Sequence, residues 1–356
     1  MIQVRLAAHG VDVEFQAASG ITALFGAAGA GKTLILDAIA GFVTPASGRI
    51  ILDDEILFDA ASRANLPPRR RHCGYVARHW ALFPHMSLHD NLLFPLAGVP
   101  GLARLERHRR VKEMLDRFAL HDAAPRRPHD VSPAERLRAT VARALIGEPK
   151  LLLVDEPAAG LDIALRAEWH KILRMVRDET NLPVLLAARD LDTCFELAAN
   201  MLLLDAGRIL QSGPPRKVFD QPIGVEAARL LGIRNLFTAE IVALDPGRNT
   251  SRLRLENFEL TGPYLPGRLR GDRVWLCVEP GQLRATPYDG SKPSMNQVAV
   301  RLERQSEMTQ AVRLEFAGGI VAEVARPEFE RQPKDKDNKE WLVEFPPHAL
   351  RVLACP

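Results

Sequence analysis

The sequence lacks several features that mark familiar protein classes. None of its apolar runs approaches the roughly 20 residues that a membrane-spanning helix needs. Its four cysteines are far apart and form no C-x-x-C pair, and its histidines show no H-x₃-H or HExxH spacing. We therefore expect reduced thiols, as in a cytosolic protein, and no transition-metal site. Residues 1–6 indicate a strand and lack the apolar core of a signal peptide. A net charge of only +3 argues against a nucleic-acid partner.

The length of the chain and a change in its secondary-structure pattern predict two domains. A chain of 356 residues is long for one core. In residues 1–230, strand patterns alternate with helix patterns, which predicts an α/β fold with a largely parallel sheet, preceded by an antiparallel β region. In residues 231–356, short β-like runs are separated by Gly, Pro and Asn turns, which predicts a small all-β domain.

Residues 26–33 (GAAGAGKT) fit the phosphate-binding pattern G-x-x-x-x-G-K-[ST]. They follow an apolar strand pattern at residues 21–25 and precede helix-forming residues 34–40. This order turns backbone N–H groups and a helix N-terminus toward an anion. Lys32 would reach the phosphates, and the Thr33 hydroxyl would help to hold Mg²⁺. The alternative is a glycine-rich turn without a ligand, against which the flanking strand and helix argue.

Two carboxylates, Asp155 and Glu156, end a fully apolar strand pattern. In open α/β sheets, ligands sit beyond the carboxyl ends of the strands. Next to a phosphate loop, two acids at such a point indicate a Mg²⁺ ligand and a base for water. Upstream, Ser132 and Glu135 have the spacing of a capping box at a helix start, with Pro133 at the first helical position.

Two loop segments leave alternatives open. Residues 82–93 carry apolar groups that would suit a partner surface, or that would fold beneath the loop itself. The adjacent residues Arg69, Arg70 and Arg71 would suit an anion, but we favour a solvated loop.

Together these motifs resemble the ATP-binding subunits of ABC transporters over residues 1–230. Residues 26–33 correspond to the Walker A loop, and residues 151–156 correspond to Walker B. Walker B is followed by Pro157 and by a D-loop at residues 159–162 (AGLD). Ser132 stands where the signature helix of the family begins.

The subtype is similar to molybdate importers, on the evidence of residues 21–26, 66–71, 74–76 and 82–85. More loosely, residues 231–356 resemble the OB-like (TOBE-type) accessory domain of importers. The resemblance implies a P-loop ATPase whose largely parallel sheet is joined by an antiparallel β subdomain and a helical subdomain. It implies ATP and Mg²⁺ as cofactors. It places cofactor contacts at Gly26, Ala27, Ala28, Gly29, Ala30, Gly31, Lys32, Thr33, Ser132, Glu135 and Asp162, magnesium at Thr33 and Asp155, and catalysis at Glu156, Asp155, Arg189 and Arg78.

The same resemblance implies the biological setting. Two copies would sandwich two ATP molecules and drive integral membrane permease subunits, which receive solute from an extracytoplasmic binding protein. The protein would lie peripherally on the cytoplasmic face of the inner membrane. An oxyanion such as molybdate or tungstate is the expected cargo, with sulfate, iron, polyamine or sugar as alternatives.

The chain departs from the family pattern at positions that sense the γ-phosphate. The signature L-S-G-G-[QE] reads VSPAE here, so that Pro133 removes a backbone donor and Ala134 adds a Cβ. Arg78 replaces the Q-loop glutamine, where a cation would repel Mg²⁺ unless it swings away. Arg189 replaces the switch histidine, where it would still stabilise phosphate charge in a different geometry.

These departures support two hypotheses from different classes. The first is a motor subunit that hydrolyses ATP slowly; the second is a nucleotide-binding switch with little or no hydrolysis. We favour the motor, because a dead site is expected to have lost at least one of the residues that are present here: Lys32, Thr33, Asp155, Glu156 and Asp162.

Overall fold

The computed structural model divides the chain into two compact units, Met1–Val218 and Phe219–Pro356. It describes residues 1–156, 160–256, 258–332 and 339–353. The division falls before the boundary at residue 230 that the sequence suggested. The reason is that the short helix Gly224–Leu230 packs against a strand of the second unit, Arg273–Val278.

The first unit opens with strands and then alternates strands with helices. In chain order its elements are β1 (Ile2–Ala8), β2 (Val11–Ala17), β3 (Gly20–Gly26), α1 (Lys32–Ala40), β4 (Ser47–Leu52), β5 (Glu55–Asp59), β6 (Ala64–Asn65), β7 (Cys73–Val76), α2 (Leu88–Ala97), α3 (Arg104–Arg117), α4 (Pro133–Leu145), β8 (Leu151–Asp155), α5 (Ile163–Glu179), β9 (Pro183–Ala188), α6 (Leu191–Leu197), β10 (Asn200–Asp205), β11 (Arg208–Gly213) and α7 (Pro215–Asp220), the last of which crosses the division.

Two sheets organise the first unit. The antiparallel sheet has the order β2-β1-β4-β5-β6, and its first strands alternate buried and exposed residues as the sequence predicted. The central sheet has the order β11-β10-β3-β9-β8-β7, with parallel pairing from β10 to β7 and an antiparallel edge at β11. The predicted largely parallel α/β fold with an antiparallel β region is confirmed.

The central strands are buried on both faces, which explains their unbroken apolar sequences. In β8, Leu152 and Val154 join a core that is covered by α2, α3, α4 and α5. The alternate residues Leu151 and Leu153 join a second core, with α1 and the antiparallel sheet. The sheet therefore separates the two cores, and α1 with its preceding loop lies on the side of the second.

The second unit is built mainly from antiparallel strands. Its elements are α8 (Gly224–Leu230), β12 (Asn235–Asp245), β13 (Thr250–Arg254), β14 (Glu259–Pro263), β15 (Arg273–Val278), β16 (Arg284–Pro287), β17 (Gln297–Glu307), β18 (Ala311–Phe316), β19 (Ile320–Ala325), α9 (Arg326–Arg331), β20 (Glu340–Glu344) and β21 (Arg351–Leu353).

These strands form two five-stranded sheets, with the orders β14-β13-β12-β15-β21 and β16-β20-β17-β18-β19. Both sheets contribute to one apolar core, which includes Ile241, Leu276, Leu314 and Val343. The predicted C-terminal β domain is confirmed, and the short helices α8 and α9 add to it. In the part of the chain that the structure describes, no helix has the length and apolarity to cross a membrane.

Candidate functional site

The glycine loop connects β3 to α1 in a close-fitting turn. Gly31 caps α1 with a φ of +100°, a left-handed conformation that favours glycine. A Cβ on Gly26 would lie 2.3 Å from the backbone oxygen of Leu204, so a larger residue would push the loop off β10. Ala30 accepts a hydrogen bond of 3.2 Å from the backbone N–H of Gly207. The loop is thus held against the turn between β10 and β11.

Lys32 lies inside this loop, and its side chain is 3% exposed. Its ammonium donates hydrogen bonds to the backbone oxygens of Gly26 at 2.8 Å and Ala27 at 3.0 Å. It also forms an ion pair of 3.1 Å with Oε1 of Glu156. The phosphate-loop lysine and the predicted catalytic carboxylate are therefore in direct contact.

Thr33 and Asp155 meet beside this pair. The hydroxyl of Thr33 donates a hydrogen bond of 2.9 Å to Oδ1 of Asp155. Burial raises the pKa of Asp155, against the lowering effects of the Thr33 hydrogen bond and the charge of Arg78. A hydroxyl and a carboxylate side by side fit Mg²⁺, which usually takes one or two protein oxygens and completes its shell with waters and phosphate.

Glu156 is buried among three cations. Its carboxylate is 2% exposed, and its Oε2 contacts Nη2 of Arg78 and Nε of Arg189, while Oε1 pairs with Lys32. Burial alone would raise the pKa of Glu156, but the hydrogen bond and charge of Lys32, with the charges of Arg189 and Arg78, hold it below its ordinary value. The backbone of Glu156 has a φ of +44°, an uncommon conformation for a non-glycine residue.

The structure thus gives Arg78 and Arg189 a contact that the sequence did not predict. We expected Arg78 to repel Mg²⁺ unless it swings away, and Arg189 to stabilise the charge of the γ-phosphate. Instead, both guanidinium groups contact one carboxylate oxygen of Glu156. No sequence signal joins residues so distant along the chain.

The remaining predicted cofactor residues lie at helix starts. Ser132 and Glu135 form the predicted capping box: Ser132 accepts from the backbone N–H of Glu135 at 3.2 Å, and the Glu135 carboxylate accepts from the Ser132 N–H at 2.8 Å. Asp162 caps α5 by accepting from the N–H of Leu165 at 2.8 Å. Within the described residues, no hydrogen bond or ion pair connects Ser132, Glu135 or Asp162 to the glycine loop. Pro157 and Ala159 lie outside the described residues.

Sequence reasoning missed one residue that supports α1, the helix that follows the glycine loop. Arg71 is 1% exposed, so the prediction of a solvated loop is wrong for this arginine, although Arg69 and Arg70 are exposed. Its guanidinium donates to the backbone oxygens of Ala38 and Ile39 at 2.7 and 2.8 Å, at the C-terminal end of α1. A cation there complements the dipole of α1. Burial lowers the pKa of Arg71.

Comparison with known proteins points to one family. A family profile described as ABC transporter matches residues 9–159. The molybdenum import ATP-binding protein ModC of Paramagnetospirillum magneticum is 36% identical over 285 residues, which cover 76% of this chain and 76% of that protein. The chain belongs to the ATP-binding proteins of ABC transporters.

Other members of the family show how far the similarity extends. ModC of Rhodospirillum rubrum is 36% identical over 212 residues, which are 60% of this chain but only 56% of the relative. The Fe(3+) ions import ATP-binding protein FbpC of Yersinia pseudotuberculosis is 30% identical over 300 residues, or 84% of this chain and 79% of that protein.

Solved structures agree on the fold. The structure of cbiO1 from Clostridium perfringens, described as part of the ABC transporter complex cbiONQ, has a TM-score of 0.54 at 24% identity and covers 62% of this chain and 90% of its own. The ATP-binding cassette MJ0796, in a dimeric post-hydrolysis state with ADP and Pi, has a TM-score of 0.51 at 20% identity and covers 61% of this chain and 99% of its own. At these identities the likeness supports the cassette fold alone.

Proposed function

We propose that this protein is the ATP-binding and ATP-hydrolysing subunit of an ABC import system. The observation that carries the proposal is that two side chains at the end of the glycine loop contact the two carboxylates. Thr33 lies 2.9 Å from Asp155, and Lys32 lies 3.1 Å from Glu156. Loop amides, an ammonium group, an oxygen pair for Mg²⁺ and a candidate base are thus collected at the carboxyl edge of one sheet, as phosphoryl transfer to water requires.

Each group has a stated task in this proposal. The loop amides and Lys32 bind the β- and γ-phosphates, and Thr33 with Asp155 holds Mg²⁺, which neutralises charge that develops on the phosphate oxygens. Glu156 orients the attacking water and accepts its proton. In a dimer of two copies, Ser132, Glu135 and Asp162 of one copy would complete the site of the other.

The import role and its cargo extend the proposal further. Relatives named for molybdenum and for Fe(3+) import support an importer, and the more similar of them favour an oxyanion such as molybdate or tungstate. The partners would be integral membrane permease subunits, supplied by an extracytoplasmic binding protein. The protein would then lie on the cytoplasmic face of the inner membrane.

A second candidate function is a nucleotide-binding switch that hydrolyses little ATP. The contacts of Arg78 and Arg189 with Glu156 favour it, because a carboxylate bound by cations is a weak base. Mg²⁺-dependent release of phosphate from ATP separates the two functions: a motor turns over, whereas a switch binds nucleotide without turnover, even together with its membrane subunits.

Replacing Lys32 with alanine is expected to weaken ATP binding by about 10- to 100-fold, because a charge-assisted hydrogen bond contributes about 1.5–3 kcal/mol. Fluorescence titration with ATP and Mg²⁺ measures this change. Lys150→Ala removes a lysine whose partner is Glu55, at 3.6 Å, and serves as the matched control. Unchanged ATP affinity in Lys32→Ala would contradict the proposed phosphate site.

An apolar hollow on α2 is the proposed contact for a permease subunit. It is lined by Met86, Asp90, Leu93, Phe94 and Ala97, and Phe94 is 52% exposed. The ring of Phe94 packs edge-on against Phe83, with their centroids 4.8 Å apart. The loop before α2 therefore packs against α2, which still leaves the ring of Phe94 half exposed at the surface.

Phe94→Asp is expected to release the protein from its membrane partners while ATP binding persists, because buried aromatic anchors contribute about 2 kcal/mol or more to an interface, about 30-fold in affinity. Sedimentation of native membranes measures the bound fraction. Leu105→Asp, at an exposed leucine of α3, is the control. Equal sedimentation of Phe94→Asp and the unaltered protein would exclude this hollow as the contact.

A further inference from the structure

Glu156 lies between two arginines because of the order of the strands. Arg78 follows β7, Glu156 follows β8, and Arg189 follows β9. These three strands are neighbours in the parallel sheet, so their carboxyl ends lie side by side. The acid on the middle strand therefore has a guanidinium on each side, and both reach its Oε2.

This arrangement leaves Glu156 poorly placed to act on water. A carboxylate oxygen has two lone pairs. Two guanidinium groups occupy Oε2, and Lys32 lies against Oε1. Because the carboxylate is nearly inaccessible, water does not compete for it. A base in this state must lose at least one cation before it can accept a proton.

The arginines, in contrast, are free to change partner. The side chains of Arg78 and Arg189 are 36% and 45% exposed. Nε of Arg78 is buried and, within the described residues, has no hydrogen-bond partner. Arg189 also borders a cavity of about 180 Å³, together with Glu156, Arg166 and Trp169. A terminal phosphate beside Lys32 would offer both arginines a second anion, and guanidinium groups match phosphate geometry well.

We propose that Arg78 and Arg189 are positioning residues that latch Glu156 in the nucleotide-free protein and transfer to the terminal phosphate when a nucleoside triphosphate binds. The inference rests on the ATP site proposed above. The transfer frees Glu156 for water only when a γ-phosphate is present. A diphosphate lacks that group, so both arginines return to Glu156 and the latch closes again after hydrolysis and phosphate release. Arg78 and Arg189, which both depart from the family pattern, thereby act together on Glu156.

A set of four proteins tests the transfer: the unaltered chain, Glu156→Gln, the pair Arg78→Gln with Arg189→His, and the combination of all three changes. The affinity of each is measured by calorimetry for the β,γ-imido analogue of ATP and for ADP, both with Mg²⁺. The imido analogue keeps the measurement independent of turnover. Arg177→Gln, on α5 beside Asp178, controls for the loss of a positive charge.

The latch predicts a specific pattern. Glu156→Gln releases Lys32 and the two arginines, and we expect it to tighten binding of the imido analogue by about 100-fold or more when both arginines are present, since each charge-assisted hydrogen bond counts for about tenfold. The gain should fall to about tenfold when both arginines have been replaced, because only Lys32 is then released. On the change Glu156→Gln, ADP affinity should rise by the same factor whether or not the arginines are present, because of the three cations around Glu156 its phosphates meet Lys32 but neither arginine.

An equal gain for the imido analogue with and without the two arginines would overturn the latch. A gain in ADP affinity that depends on the two arginines as strongly as the gain for the imido analogue would also overturn it. If none of the four proteins binds either nucleotide, the proposed ATP site fails, and the transfer fails with it. Urea unfolding of the same four proteins without nucleotide then shows separately whether Glu156 and the arginines are coupled, and an absence of coupling overturns the closed state of the latch.

Discussion

Glu156→Gln is expected to reduce ATP turnover by about 10²- to 10⁴-fold, the range usually found when a general base is lost. The change keeps the shape of the side chain but removes the charge that pairs with Lys32, Arg78 and Arg189. Nucleotide binding should persist, because phosphate then meets three cations without a competing carboxylate. Steady-state phosphate release, measured with and without the membrane subunits, tests this expectation.

The matched control is Glu179→Gln at the end of α5, where the carboxylate pairs with Arg117 at 2.9 Å. It should retain full turnover. Full turnover in Glu156→Gln would remove Glu156 from the chemistry. Nucleotide binding without turnover in the unaltered protein, alone and in its complex, would favour the switch over the motor.

The second large effect is expected in folding stability. Arg71→Met should lower the free energy of unfolding by about 3 kcal/mol or more, because buried acceptors left unsatisfied each cost about 1–3 kcal/mol. Two buried oxygens lose a donor, those of Ala38 and Ile39, and the more accessible oxygens of Leu66 and Asn65 lose one as well. Urea unfolding followed by circular dichroism gives the change.

Arg70→Met is the control, since Arg70 is the exposed neighbour in the same run of arginines, and it should shift stability by less than about 0.5 kcal/mol. Arg71→Lys keeps the charge but not the planar fork, so its stability should be intermediate. This second variant matters if Arg71→Met does not fold. Equal stability of Arg71→Lys and the unaltered protein would show that charge alone suffices at the end of α1.

Much of the first unit could be predicted because its signals are local. A strand pattern, the glycine loop and a helix pattern are adjacent in sequence, and the structure has β3, the loop and α1 there. The capping box at Ser132 and Glu135 predicted a helix with Pro133 at its first position, and α4 begins at Pro133. Patterns of this kind need only a few neighbouring residues.

The contacts of Glu156 could not be predicted in the same way. Arg78, Glu156 and Arg189 are brought together by the order of β7, β8 and β9, which depends on pairing between distant segments. Arg71 was missed for a related reason: in sequence it is one of three equal arginines, and only the packing of α1 against the loop decides which of them is buried. Contacts between residues that are distant in sequence leave no signal in the neighbouring residues of the chain.

The register of β8 decides both which of its residues enter each core and where Asp155 lies. Because successive residues of a strand point to opposite faces, a slip of one residue would exchange Leu151 and Leu153 with Leu152 and Val154. The same slip would turn Asp155 away from Thr33 on α1. Because both faces of β8 are apolar, the exchange of leucine and valine alone costs little, and the register is set by the polar residues at the two ends of the strand, Lys150 and Asp155, either of which a slip would move into a buried apolar position.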